Sequence, residues 1–333
     1  MQLHGLWRWC KQNVAAGMGW GAISTAMGVA LVVTALAILC FMVRDVGIGK
    51  VIAAMVATSP QALVGAFCLV CVSYFTLMLY DCFALRTLGR HEVPYATAGL
   101  AGFAAYAIGH GLGMTLVTGN AVRLRIYSRW GLSVVEVAKI AFLTGLSFWL
   151  GSIGALGLAL AAEPATAATV THLPVWANQA LGLAGLTAIA VYVLWLLPRP
   201  RVVGAATWRI VLPDARLTLV QIGVGISDLA AGSLATYVLL PAAPPTNYAI
   251  IAVAYVIAAL LGFVSHAPGS LGVFEVAMLV MLSWYQKEEL LASLLILHVF
   301  YYVLPLAVAL VMLGAREIRL APFASLNRRS ALR

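Results

Sequence analysis

Between two apolar runs, Tyr248–Val264 and Val276–Trp284, the chain reads Ser265-His-Ala-Pro-Gly-Ser-Leu-Gly-Val-Phe-Glu275. Pro268 removes a backbone donor, and Gly269 and Gly272 favour non-helical backbone. A histidine and a glutamate lie inside what hydropathy alone would draw as buried membrane. Lipid offers backbone groups no water, so such a break is tolerated only where protein or a water-filled cavity surrounds it. An ionisable group at that depth points to function. The competing reading is a plain loop between two short helices.

The rest of the chain favours a membrane setting. Its 333 residues are 63% hydrophobic and 9% charged, a balance that excludes an ordinary soluble domain and points to an all-α polytopic membrane protein. The 20 basic residues exceed the 11 acidic ones but cluster at the ends of apolar runs, as the positive-inside rule expects; they do not imply nucleic acid. Ile23–Val43 is too long for a signal-peptide core and is followed by no small-residue cleavage site, so it reads as a retained helix. Cys68 and Cys71 have a metal-binding spacing but no second pair, and read as buried small side chains. No metal or cofactor is expected.

Residues 1–22 form an amphipathic segment suited to the cytoplasmic face, 23–314 a single transmembrane domain, and 315–333 a basic cytoplasmic tail. Six runs read as full spans: Ile23–Val43, Gln61–Tyr80, Val134–Leu160, Trp176–Leu197, Leu217–Leu240 and Leu290–Gly314. Two further runs are interrupted. Tyr95–Val117 is broken near Gly109-His-Gly-Leu-Gly113, and Tyr248–Tyr285 at the stretch quoted above. A full crossing by Tyr95–Val117 would put Arg123, Arg125 and Arg129 outside and invert every later loop. Drawing both as re-entrant broken-helix hairpins from opposite faces leaves only Arg44, Lys50 and Lys287 outside and the other seventeen basic residues inside. The N- and C-termini are then cytoplasmic. The two breaks place His before Gly at the same spacing, and each follows a helix carrying an aspartate, Asp81 and Asp228. An inverted repeat and a chance echo both explain this.

Hairpins from opposite faces would meet near the midplane, each pointing a half-helix N-terminus there, which favours an anion. Arg123 and Arg125 follow the first break and suit phosphate, because a planar guanidinium donates two hydrogen bonds at once; plain anchoring on the inner face is the alternative. Asp228 lies mid-span with no basic residue nearby in its own segment, so it needs a partner, water or a proton. A cationic substrate group would serve. Glu275 is similar, nearer the break. His266 and His298 could titrate with these acids or simply donate one hydrogen bond each. Gly269 marks where backbone and headgroup would meet. The glycines of Gly151-Ser-Ile-Gly-Ala-Leu-Gly157 and Gly182-Leu-Ala-Gly185 read as close helix packing. No nucleophile–base pair, phosphate loop or metal-ligand set is visible, which favours transport or scaffolding over catalysis.

Tyr80-Asp-Cys-Phe-Ala-Leu85, Thr118-Gly-Asn-Ala-Val-Arg-Leu-Arg-Ile-Tyr127, Trp130-Gly-Leu-Ser133, Phe148-Trp-Leu-Gly151, Leu212-Pro213, Gln221 with Asp228, Ala267-Pro-Gly-Ser-Leu-Gly-Val-Phe-Glu275 and Tyr301-Tyr-Val-Leu-Pro305 together resemble the membrane domain of lysylphosphatidylglycerol synthase/flippase proteins. That group includes the multiple peptide resistance factor, an antimicrobial peptide resistance protein, and its stand-alone relatives. The likeness runs from about residue 60 to 310. It implies a bacterial inner-membrane flippase that moves aminoacylated phosphatidylglycerol, lysyl-type or related, between leaflets, with Asp81, Arg123, Asp228 and Glu275 at the family's polar positions. Two departures stand out: Ser270 where the family usually has Gly, and His298 where it usually has Arg, which replaces a fixed charge by a pH-dependent one. Expected partners are membrane phospholipid, an aminoacyl-phosphatidylglycerol synthase domain or protein, and a second copy of the chain in a homodimer. Alternative functions are a scaffold that presents lipid to a modifying enzyme, and a flippase for glycosylated or hopanoid-type lipid.

Overall fold

A computed structural model describes residues 46–316, apart from 199, 206, 207, 243 and 245. The amphipathic start, the span Ile23–Val43 and all but the first residues of the basic tail lie outside these. The helices are α1 (Ile48–Ala57), α2 (Pro60–Thr87), α3 (Tyr95–Leu112), α4 (Thr115–Tyr127), α5 (Val134–Ala162), α6 (Pro164–Thr171), α7 (Val175–Leu196), α8 (Ala215–Leu239), α9 (Tyr248–Ser265), α10 (Val273–Met281) and α11, which runs from Lys287 to Arg316. Among the described residues six are long and apolar enough to cross a bilayer: α2, α5, α7, α8, α9 and α11. The protein is an all-α polytopic membrane protein. Short-range signals start the helices. Ser59 caps α2 ahead of Pro60, Ser133 and Glu136 form a reciprocal capping box on α5, and Asp214 and Asn247 cap α8 and α9.

Several boundaries differ from the sequence reading. The helix drawn as ending at Tyr80 runs on to Thr87, so Asp81 lies inside it and is fully buried; partners for its charge, described below, make this tolerable. The first hairpin does not break at Gly109, which stays helical, but at Gly113 and Met114, and its return arm is α4, reaching Tyr127 rather than Val117. Polar Thr118, Asn120 and Arg123 made that arm look like a loop. α9, read as one arm of a hairpin, has 18 residues, about 27 Å of helix, and so is long enough to count as a span before its chain turns back into α10. Between the spans, Pro164–Thr171 forms a short helix, and the segment after α7 holds an antiparallel hairpin, β1 (Val202–Ala205) with β2 (Trp208–Val211). Cys68 and Cys71 are exposed on α2, facing outward rather than buried.

Hydrophobic burial does not drive helices together in lipid; close van der Waals contact does. A Cβ on Gly151 of α5 would stand 2.6 Å from Gly225 Cα of α8, and one on Gly182 of α7 would stand 2.6 Å from Ala161 N. These glycines are backbone-to-backbone crossings, as their spacing suggested. Gly225→Leu is expected to force α5 and α8 apart and destabilise the protein by about 1–3 kcal/mol. Gly145→Leu, with open space around its Cβ position, should melt like the parent in detergent.

The hairpins enter from opposite ends of the bundle. At the base of the first hairpin, Arg90 in the loop before α3 hydrogen-bonds Glu92 in the same loop and Glu136 in the first turn of α5. Those bonds, Glu136's first, raise the pKa of Arg90 above its ordinary value. α9 and α10 are joined at the other end, where Tyr285 Oη donates to Thr246 Oγ1 at 2.7 Å. The tips meet inside: a Cβ on Gly113 would lie 2.6 Å from His266 O and 3.0 Å from Pro268 N.

Candidate functional site

A cavity of about 120 Å³ lies where the tips meet. α3 brings His110 to it, α4 Asn120 and Arg123, α8 Asp228, α9 Tyr255, and α11 Tyr301 and Tyr302. Met114 and Leu116 also line it and are 55% and 61% exposed, so the cavity opens through apolar side chains on the outer surface of the helices.

Pro305 explains how two consecutive tyrosines reach this wall. It has no N–H to give to the carbonyl of Tyr301, four residues earlier. The helix widens into a π-turn over Val299–Val303, and Tyr74 Oη donates to the freed Tyr301 carbonyl at 2.8 Å. Tyr301 itself is buried against Tyr74, with ring centroids 5.5 Å apart.

Asp228 is 4% exposed. Ser73 Oγ on α2 donates to its Oδ1, and Ser73 Oγ lies 3.1 Å from Tyr301 Oη. A serine hydroxyl has one hydrogen, spent here on the carboxylate, so Tyr301 is the donor to Ser73. The result is a relay of hydroxyls ending on Asp228.

Arg123 is compensated within the protein. Its Nε and Nη2 grip Asp81 at 2.7–3.1 Å, and Tyr127 Oη donates to Asp81 Oδ2 at 2.7 Å. Asp81 is 0% exposed and Arg123 4%. The two residues assigned separately to a cationic group and a phosphate are therefore partners of each other. Arg123 still borders the cavity and packs over the Tyr106 ring, 5.1 Å from its centroid. Arg125 projects from the opposite, exposed side of α4, away from the cavity lining.

The second break is held by its own side chains. Glu275 Oε2 accepts from Gly272 N at 2.7 Å, so a carboxylate already occupies the start of α10 that was expected to receive an anion. Glu275 Oε1 stands 2.9 Å from His298 Nδ1, an ion-pair distance without hydrogen-bond alignment. His298 stacks on Tyr302 with ring centroids 4.4 Å apart. Neither Glu275 nor His298 lines the cavity. Gly269, at φ 62°, faces His298 rather than the cavity: its Cβ would lie 3.1 Å from Nε2. His266 does line the cavity, in left-handed conformation at the end of α9, with Nδ1 2.7 Å from Val264 O.

The sequence reading thus places Asp228, Arg123 and His266 at one cavity, with Asp81 behind Arg123. It missed Ser73, Tyr301, His110 and Asn120. His110 Nδ1 and Asn120 Oδ1, on two residues that line the cavity, are buried without a hydrogen-bond partner in the protein. Pro305 after two tyrosines was the one signal that could have found Tyr301.

Opposed broken-helix hairpins meeting at a mostly apolar cavity that holds a few buried polar side chains define the chain as a multi-pass membrane protein. Over 296 residues it is 31% identical to the uncharacterized protein slr0712 of Synechocystis sp., covering 88% of this chain and 91% of that one. The chain belongs to the membrane protein family of slr0712. Inner membrane protein YbhN of Escherichia coli is 29% identical over 254 residues, 75% of this chain and 78% of its own. No family model matches the sequence.

Proposed function

We propose that the chain is a phospholipid translocase of the bacterial inner membrane, moving aminoacylated phosphatidylglycerol or a related lipid between leaflets without altering it chemically. One observation carries the reading: the cavity joins charged groups, Arg123 and Asp228, to a mouth of exposed apolar side chains, Met114 and Leu116. A headgroup could enter there while its tails stay in the bilayer. On this reading the phosphate lies toward Arg123 and the start of α4, and an amine on the headgroup lies toward Asp228. The resemblance to lysylphosphatidylglycerol flippase domains and the inner-membrane relative in E. coli support it. A synthase that makes the aminoacylated lipid is the partner it implies.

The test is translocation of labelled lysyl-phosphatidylglycerol and unmodified phosphatidylglycerol by the purified protein in liposomes. Asp228→Asn is expected to reduce movement of the lysyl lipid at least tenfold and that of the unmodified lipid far less. Full movement of both would remove Asp228 from the mechanism, and none with the parent protein would sink the reading.

The orientation belongs to the same proposal, with Arg86, Arg90, Arg125, Arg129, Arg201, Arg209 and Arg216 cytoplasmic. A cysteine replacing Ser128 is expected to react only from the cytoplasmic side, and one replacing Pro244 only from outside. Reaction of the Ser128 position from outside would overturn it.

A further inference from the structure

We infer that Asp228 binds a proton and the cationic group of the transported headgroup in alternation, so that lipid moves one way in exchange for a proton moving the other. This rests on the translocase reading and adds its energy source. The argument is geometric. Asp228 faces the cavity, yet the described groups around it offer hydroxyls and rings. α2 contributes Ser73, Tyr74 and Tyr80, the last with a buried hydroxyl that has no hydrogen-bond partner. α9 contributes Tyr255 and, at its end, His266, and α11 Tyr301 and Tyr302, with His298 beyond them beside Glu275. α3 contributes Tyr106 and His110, and α4 contributes Arg123. α7 carries no Asp, Glu, Lys, Arg or His, and α5 carries its charges, Glu136 and Lys139, in its first two turns.

The fixed cation among these is Arg123, and Asp81 already takes its Nε and Nη2. An ionised carboxylate in such a place is costly. The Ser73 hydroxyl softens that cost by donating a hydrogen bond, itself backed by Tyr301, but cannot cancel the charge. A proton can, and so can a cation arriving through the cavity, which the neighbouring rings would also attract. One carboxylate cannot hold both. The exchange balances: the neutral acid gives its O–H proton to water as the cation arrives, leaving carboxylate and cation paired. On the other side the cation departs and a proton from water restores the acid.

The test uses the purified full chain in detergent at low buffer strength and a probe with a permanent charge, dodecyltrimethylammonium below its micelle concentration. Any proton released then comes from the protein. Tetramethylammonium, the same charge without a tail, shows whether an amphiphile is required. We expect about one proton released per probe bound, read by an indicator dye. Affinity should weaken by up to about tenfold for each unit of acidification across about pH 5 to 8. Asp228→Asn should release none. Ser73→Ala keeps the acid but loses a hydrogen bond that favours its charged form, so half-binding should move to higher pH; that variant keeps the test open if Asp228→Asn fails to fold. Binding with no proton release and no pH dependence in the parent protein would overturn the exchange, as would an unmoved profile in Ser73→Ala. Either result leaves the translocase reading standing if labelled lipid still moves in liposomes.

Discussion

Arg123→Ala is expected to lower the stability of the protein by about 3–5 kcal/mol, enough to deplete it from the membrane or shift its melting sharply downward. The cost comes from what is left behind. Asp81 is 0% exposed, and without the guanidinium it keeps the Tyr127 hydroxyl as a partner for a full charge. Removing both charges should be far milder. Asp81→Asn with Arg123→Gln leaves two neutral amides able to hydrogen-bond each other, and most of the lost stability should return. Arg123→Lys should fall between, since an ammonium cannot make the two-pronged grip seen here. Melting of the detergent-solubilised proteins, followed by tryptophan fluorescence, checks the order. If the single and double variants melt alike, the pair is not coupled as its geometry requires.

Gly113→Ala is expected to abolish translocation while the protein still inserts. Gly113 has φ 74° and ψ −177°, a region essentially restricted to glycine. A Cβ there would also meet His266 O at 2.6 Å, so either the tip must move or the second hairpin must. Gly131 is the control for a positive φ without a collision. It also has φ 74°, but with ψ 12° it is ordinary left-handed backbone with nothing within 4 Å of its Cβ position, so Gly131→Ala costs about 1 kcal/mol. Gly269→Ala should be intermediate, because its Cβ would meet the movable ring of His298 at 3.1 Å rather than backbone. Translocation rates normalised to inserted protein are expected to fall in the order Gly131→Ala, Gly269→Ala, Gly113→Ala if the tips must keep this contact. Normal transport by Gly113→Ala would show that they need not.

The spans and breaks were legible because lipid imposes a simple rule: apolar residues continue, and proline, glycine or charge interrupts. The rule misled where protein, not lipid, surrounds a residue. It ended a helix at Asp81 and stopped a hairpin arm short of Arg123, since neither position reveals that the other cancels its charge. Asp228 and Arg123 were visible as charges out of place. Their settings were not, because Ser73 and Asp228 are 155 residues apart in the chain, and Ser73 and Tyr301 are 228 apart. Glu275 shows the opposite case. Its position three residues after Gly272 was the signature of a helix cap, but its depth drew attention first.

The glycine crossings also distinguish two kinds of contact in the molecule. With Gly151 lying on Gly225 and Gly182 on the backbone at Ala161, no side chains separate α5 from α8 or from α7 at these points. Contact this close ties α7, α5 and α8 into one packed unit. The two hairpin tips meet differently: among the described residues no backbone hydrogen bond runs between them. On the translocase reading, opening of the site toward one leaflet or the other would fall to the hairpin tips, moving against the unit that carries Asp228.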